Sequence, residues 1–201
     1  MIIEQLKVGM LENFCYILGC EITKQGIIID PGDDSEHILS RVRDLELNIE
    51  YILNTHFHFD HTYCNQEIKD VIKAYIAMHK DDISYYQGSV DLTLKSEDII
   101  TCGEEIELKV LHTPGHTPGG VCFYQDYRLF TGDTLFVGDS GRTDLAYSNR
   151  SDLGASIRKI MQLPEETVIF PGHDYGHTPT STLREEKKNN INAKEYGFYQ
   201  P

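Results

Sequence analysis

With 201 residues and 40% hydrophobic content, the chain is long enough to bury one substantial core and too short for two large ones, so a single domain spanning residues 1–201 is expected. Its 32 acidic against 18 basic residues give a net charge of −14, which repels a phosphate backbone, and no basic stripe counters it; nucleic acid is not an expected partner. No stretch reaches the roughly 18 uninterrupted apolar residues of a membrane span, Met1 to Met10 carries no export signal, and the five cysteines are scattered as reduced core thiols are, so a cytoplasmic protein without a membrane partner is expected.

Residues 2–8, 13–18 and 26–30 are short apolar stretches bounded by Gly, Asn or Pro, the pattern of successive strands. Over 35–47 the period changes, with Ile38, Leu39, Val42 and Leu45 on one helical face, and 50–53 returns to a strand that delivers the chain to His56. Residues 71–77 read as a strand, 104–111 alternate Ile106, Leu108 and Val110 on one face, and 121–124 and 128–131 continue the β pattern. Leu153, Ile157, Ile160 and Met161 define an amphipathic helix over 151–163, followed by a strand over 167–170 and a last helix over 179–190. Each half holds several strands and at least one helix, with no repeat or linker between them. Two sheets packed face to face with helices outside is the expected architecture.

The densest chemistry is Thr55-His56-Phe57-His58-Phe59-Asp60-His61, directly after a strand. Residues two apart in extended chain project to the same side, so His56 and His58 are placed to share one metal, while Asp60 and His61 turn toward a neighbouring position. Imidazole and carboxylate suit zinc, and also iron or manganese. The bland alternative, a polar loop rich in histidine by accident, accounts poorly for so many ligand-type residues so close together. Three later loops each set one more such residue just beyond a strand: His116 in Thr113-Pro114-Gly115-His116-Thr117-Pro118-Gly119, Asp133 in Thr131-Gly132-Asp133-Thr134, where a bridging carboxylate fits, and His173 in Phe170-Pro171-Gly172-His173-Asp174-Tyr175. Singly, each is an ordinary turn. Of the other histidines, His37 is expected in solvent and His79 beyond a strand with no second ligand nearby, while His112 and His177 flank the motif loops, where a supporting hydrogen bond is weighed against no role.

These loops, in this order and spacing, resemble the metallo-β-lactamase superfamily over nearly the whole chain, and within it the glyoxalase II-like (hydroxyacylglutathione hydrolase-like) branch. The resemblance implies an α/β fold, the αββα sandwich of two mixed sheets with helices outside and metals at one edge between the sheets. By motif position it implies two divalent metal ions, zinc foremost and iron or manganese as alternatives: His56, His58 and His116 hold the first, Asp60, His61 and His173 the second, and Asp133 bridges them. Asp60 and Asp133 are then the catalytic carboxylates. Arg142, in Gly141-Arg142-Thr143-Asp144-Leu145, and Tyr175 match positions near bound substrate; Arg142 serves there as a cationic fork or else pairs with Asp144, and Tyr175 contacts substrate or else packs.

Departures within the superfamily narrow the implication. His58 stands where diiron oxygen-reducing relatives have glutamate, and Asp133 where β-lactamases often have cysteine. Ser140 and Leu145 occupy places that in persulfide dioxygenases are commonly cysteine and an aromatic. The chain ends at Pro201, so the helical C-terminal region with which full glyoxalase II enzymes grip glutathione is not expected. The implied activity is hydrolysis of a small-molecule thioester by water activated between two metals; a thiol of pKa about 8.5 leaves largely as thiolate without a dedicated general acid. The alternative on the same fold is a mononuclear iron persulfide dioxygenase using His56, His116 and Asp133. No oligomeric state is implied.

Overall fold

In a computed structural model that describes residues 1–200, strand β2 (Asn13–Gly19) shows how the layers arise. It is buried at every position: Phe14, Tyr16 and Leu18 enter one apolar layer, Cys15 and Ile17 the layer on the opposite face. A strand with both faces covered reads as an uninterrupted apolar run, and its period-2 geometry divides that run between two cores.

The first sheet runs β1 (Ile2–Val8), β2, β3 (Gln25–Ile29), β4 (Asn48–Leu53), β5 (Tyr75–His79) and β6 (Leu92–Leu94), antiparallel through β3 and parallel from β3 to β6. The second runs β12 (Ser181–Thr182), β11 (Val168–Pro171), β10 (Arg128–Gly132), β9 (Val121–Gln125), β8 (Ile106–His112) and β7 (Ile99–Cys102), antiparallel except where β10 meets β11. Between the sheets lie Tyr16, Ile27, Leu53, Leu108, Phe123 and Phe130. Helices α1 (Ser35–Asp44) and α3 (Asn65–Ile72) cover the outer face of the first sheet through Ile38, Val42 and Ile68; α4 (Arg150–Ile160) covers the second through Leu153, Ile157 and Ile160. This is the αββα sandwich of two mixed six-stranded sheets. All five cysteines are buried and free.

Some elements differ from expectation. The run at 71–77 is not one strand: Val71 and Ile72 belong to α3, and β5 begins only at Tyr75. The break falls at Lys73, whose φ of 61° ends the helix in the left-handed region where glycine is usual, so no glycine marks it in the sequence. The last helix, α5 (Leu183–Asn189), starts later than 179 because Ser181 and Thr182 pair with β11. The Thr182 hydroxyl then accepts from Glu185 N at 3.2 Å and caps the helix. The short strands β6 and β7 were too brief to leave a period. Among the described residues no helix is long and apolar enough to cross a membrane.

Candidate metal centre

Four chain segments leave their strands at the same edge of the sandwich. After β4 comes the single turn α2 (Phe59–Thr62), with His58 at its start; this turn, rather than extended chain, swings Asp60 and His61 away from His56 and His58. His116 follows β8, Asp133 follows β10 and His173 follows β11, so one sheet contributes four of the side chains and the other three. The structure brings all seven together. The donor atoms of His56, His58 and His116 lie within 4.8 Å of one another, as do those of Asp60, His61 and His173. Between the groups stands Asp133, with Oδ1 3.3 Å from His61 Nε2 and Oδ2 3.4 Å from both His116 Nε2 and His173 Nε2.

The outward ring nitrogens show which atoms face inward. His116 Nδ1 donates to the Arg142 carbonyl at 2.8 Å, His173 Nδ1 to the Leu11 carbonyl at 2.9 Å, and His61 Nδ1 to Asp30 Oδ2 at 3.0 Å. The Thr55 hydroxyl donates to Asp30 and accepts from His56 Nδ1 at 3.0 Å. In each ring the Nε2 lone pair is thereby turned into the site. The inward nitrogens crowd together: His58 Nδ1 is 3.0 Å from His116 Nε2, and His61 Nε2 is 3.2 Å from His173 Nε2. His56 Nε2 and Asp133 Oδ1 are buried with no hydrogen-bond partner at all. Buried polar atoms left in this way cost stability unless something binds them, and a cation between these donors does so.

The electrostatics agree. Burial, and then neighbouring histidines, push the pKa of His56 well below its ordinary value and that of His58 down to about 4, which keeps both rings neutral and able to donate. Burial works against charge on His61 too, yet Asp133 and Asp30 outweigh it and raise its pKa well above the ordinary value. Burial of Asp133 is likewise outweighed, by His61 and His173, and its carboxyl is held well below the usual range. Neutral imidazoles crowded beside the buried Asp133 carboxylate are a donor set that fits a pair of divalent cations.

The supporting residues escaped the sequence reading. Asp30 accepts from Thr55 N at 2.7 Å as well as from the Thr55 hydroxyl and His61. Asp82 ties two loops together, accepting from Phe57 N, the Thr117 hydroxyl and Gly119 N. Asn13 donates to Asp60 Oδ2 at 3.0 Å. No local motif marks these residues; the one signal is that Asp30, in Asp30-Pro31-Gly32, comes directly after an apolar strand, as the other ligand-type residues do. Gly141 passes so close to the Asp133 carbonyl that any Cβ there would collide with it.

Above the centre opens a cleft of about 660 Å³, bounded on one side by Leu11, Phe136 and Tyr175 and on the other by Arg142 and Tyr147. Tyr175 is half-exposed rather than packed away, with its ring stacked on His173 at 4.5 Å and 14°. The guanidinium of Arg142 forks onto Asp144 at 2.6 and 2.7 Å, both side chains exposed, while its carbonyl orients His116. His79 is not isolated: its ring stacks on His112 at 4.1 Å, with the Asp81 carboxylate 3.7 Å from Nδ1. His112 in turn contacts the Pro118 carbonyl at 3.0 Å, bracing the His116 loop, whereas His37 and His177 lie in solvent.

Residues 8–173 match the family described as the Metallo-beta-lactamase superfamily. The chain belongs to the metallo-β-lactamase superfamily. Among its members, a hydroxyacylglutathione hydrolase of Pelagibacter ubique is 31% identical, over 91% of this chain and 75% of that protein. A probable polyketide biosynthesis zinc-dependent hydrolase, BaeB, of Bacillus velezensis is 32% identical, over 90% of this chain and 82% of the relative. Among solved structures, ETHE1 from Myxococcus xanthus superposes with a TM-score of 0.88 at 29% identity, over 99% of this chain and 88% of that one. These likenesses agree with the glyoxalase II-like branch of this superfamily of metallo-hydrolases.

Proposed function

We propose that this protein is a thioester hydrolase that works with two divalent metal ions, zinc by preference. His56, His58 and His116 hold one, Asp60, His61 and His173 the other, and Asp133 spans both. The observation that carries the reading is the convergence of seven donor side chains from both sheets on the floor of one cleft, with buried donor atoms that nothing in the protein satisfies. Bound there, such a pair lowers the pKa of a shared water toward about 7 and polarises a carbonyl oxygen.

The chain's own groups do the rest. Asp133 stands between the triads, with Oδ2 equally close to His116 of one and His173 of the other and Oδ1 beside His61, while Asn13 anchors Asp60. Phe57, Phe136 and Tyr175 wall the cleft against bulk water, and Tyr175 is the side chain offered to substrate beside His173. Arg142 contributes chiefly through the carbonyl that holds His116, since its charge is met by Asp144. A thioester suits such a site because a thiolate needs no proton donor to depart. The likeness to a hydroxyacylglutathione hydrolase supports a small-molecule thioester as substrate, and the zinc-dependent relative supports zinc.

The test pairs elemental analysis of protein purified without added metal with a thioester hydrolysis screen under nitrogen. Two metals per chain and oxygen-independent cleavage are expected. Stoichiometric oxygen uptake with glutathione persulfide by iron-loaded protein, with no thioester cleaved, would overturn the reading in favour of a persulfide dioxygenase.

A further inference from the structure

Beside the metal-lined cleft lies a second hollow of about 430 Å³, within the roughly 300–1,000 Å³ of small-molecule pockets. Phe57, His58 and Phe59 line both spaces, so the hollow opens at a donor of the first triad. Its remaining side-chain walls are Tyr63, Tyr85 and Tyr86 together with the neutral Thr62, Gln66 and Gln87, and no charged side chain lines it. The main cleft is also walled largely by apolar side chains, but Asp60, Asp139 and Arg142 set charges at its edges.

The division between the two is built rather than incidental. Tyr147 holds a φ of 66°, a left-handed backbone uncommon for a bulky residue, and lays its ring on Tyr85 at 4.3 Å. Tyr85 in turn lies 5.2 Å from Phe57. An aromatic partition thus runs from the cleft rim to the metal-site loop. Phe59 and Tyr63 stand 69% and 73% exposed at the lip, an apolar surface that solvent does not favour.

We infer that the second hollow receives the acyl group of the substrate, and that this acyl group is apolar: a medium-length alkyl or an aryl chain, with the polar thiol carrier left in the main cleft. The inference rests on the thioester-hydrolase reading and deepens it. A thioester carbonyl at the first triad directs its two substituents apart, and the chain supplies one space with charged edges and one without charge, walled mainly by tyrosine and phenylalanine, for them. A short hydroxyacyl group leaves the aromatic walls unfilled; each methylene added buries more of them, and selectivity rises with it.

The experiment compares acetyl, hexanoyl, octanoyl and benzoyl thioesters of one uncharged thiol, N-acetylcysteamine. For the wild-type protein, kcat/KM for the octanoyl ester should exceed that for acetyl by at least about 10-fold, what two fully buried methylenes supply. In Tyr63→Ala and Tyr85→Ala that ratio should collapse toward unity. A flat acyl-length profile in the wild type, or a preference that survives in both variants, overturns the inference. An octyl thioether of the same thiol, which cannot be hydrolysed, gives a readout independent of turnover. If no thioester is cleaved but the thioether binds, and binds about 10-fold more weakly to the variants, the hydrolase reading fails and the apolar pocket stands; if esters are cleaved but thioether binding ignores the variants, the pocket fails alone.

Discussion

Asp30 reaches no reacting atom, yet a backbone amide, a hydroxyl and an imidazole all end on its carboxylate. Through Thr55 and His61 it sets which nitrogen of two rings, one from each triad, faces inward. Asp30→Asn keeps the shape but can accept at only one oxygen, so metal affinity measured by competition with a chelator should fall about 10–100-fold, the usual cost of losing an outer partner. Asp133→Asn should cost more, lowering occupancy of both sites together, because a neutral amide cannot balance two cations. Equal affinity in wild type and Asp133→Asn would remove that carboxylate from its place between the triads. Side chains that converge here were legible in the sequence because each is a ligand type set just past a strand. Asp30, Asp82 and Asn13 were not, since an aspartate or asparagine in a loop reads as a turn former until the fold shows what donates to it.

At the level of elements, the stacked pair His79 and His112 joins the end of β5 in one sheet to the end of β8 in the other, just before the His116 loop. Burial, and then His112, lower the His79 pKa from 6.5 to about 4, against the opposing pull of Asp81. The unfolded chain takes up this proton near 6.5 and the folded chain only near 4, so this contribution to stability is complete above 6.5 and is lost as pH falls through 4. His79→Gln should therefore flatten the acid limb of the metal-free protein's urea stability between these values, and an unchanged limb would show that the pair carries no such linkage. Element boundaries were legible where glycine, proline or a clear period marked them. They were lost at Lys73, where an ordinary residue takes the left-handed turn, and at Ser181-Thr182, too short to show alternation.

Across the whole molecule, the layer between the sheets depends on few large side chains, and Phe123, fully buried among residues of both, is central to it. Phe123→Ala should cost about 3–5 kcal/mol, read as a lower urea midpoint at unchanged slope. A cost below about 1 kcal/mol would mean that the sheets close over the cavity. The two-layer plan was legible because alternation splits strands such as β2 between faces, whereas the order of strands within each sheet is written in no local pattern.

One sheet brings His56, His58, Asp60 and His61 to the metal centre and the other brings His116, Asp133 and His173. Neither half can hold a cation pair until the two have docked, which makes the ion a ligand of the assembled sandwich and not of the unfolded chain. Mass action then converts free metal into resistance to unfolding, about 2.7 kcal/mol at a hundred times the dissociation constant. On the two-metal reading proposed above, stripping the protein with a chelator should lower its melting temperature by an amount that tracks the free divalent metal restored, so the supply of metal would set how long the chain survives.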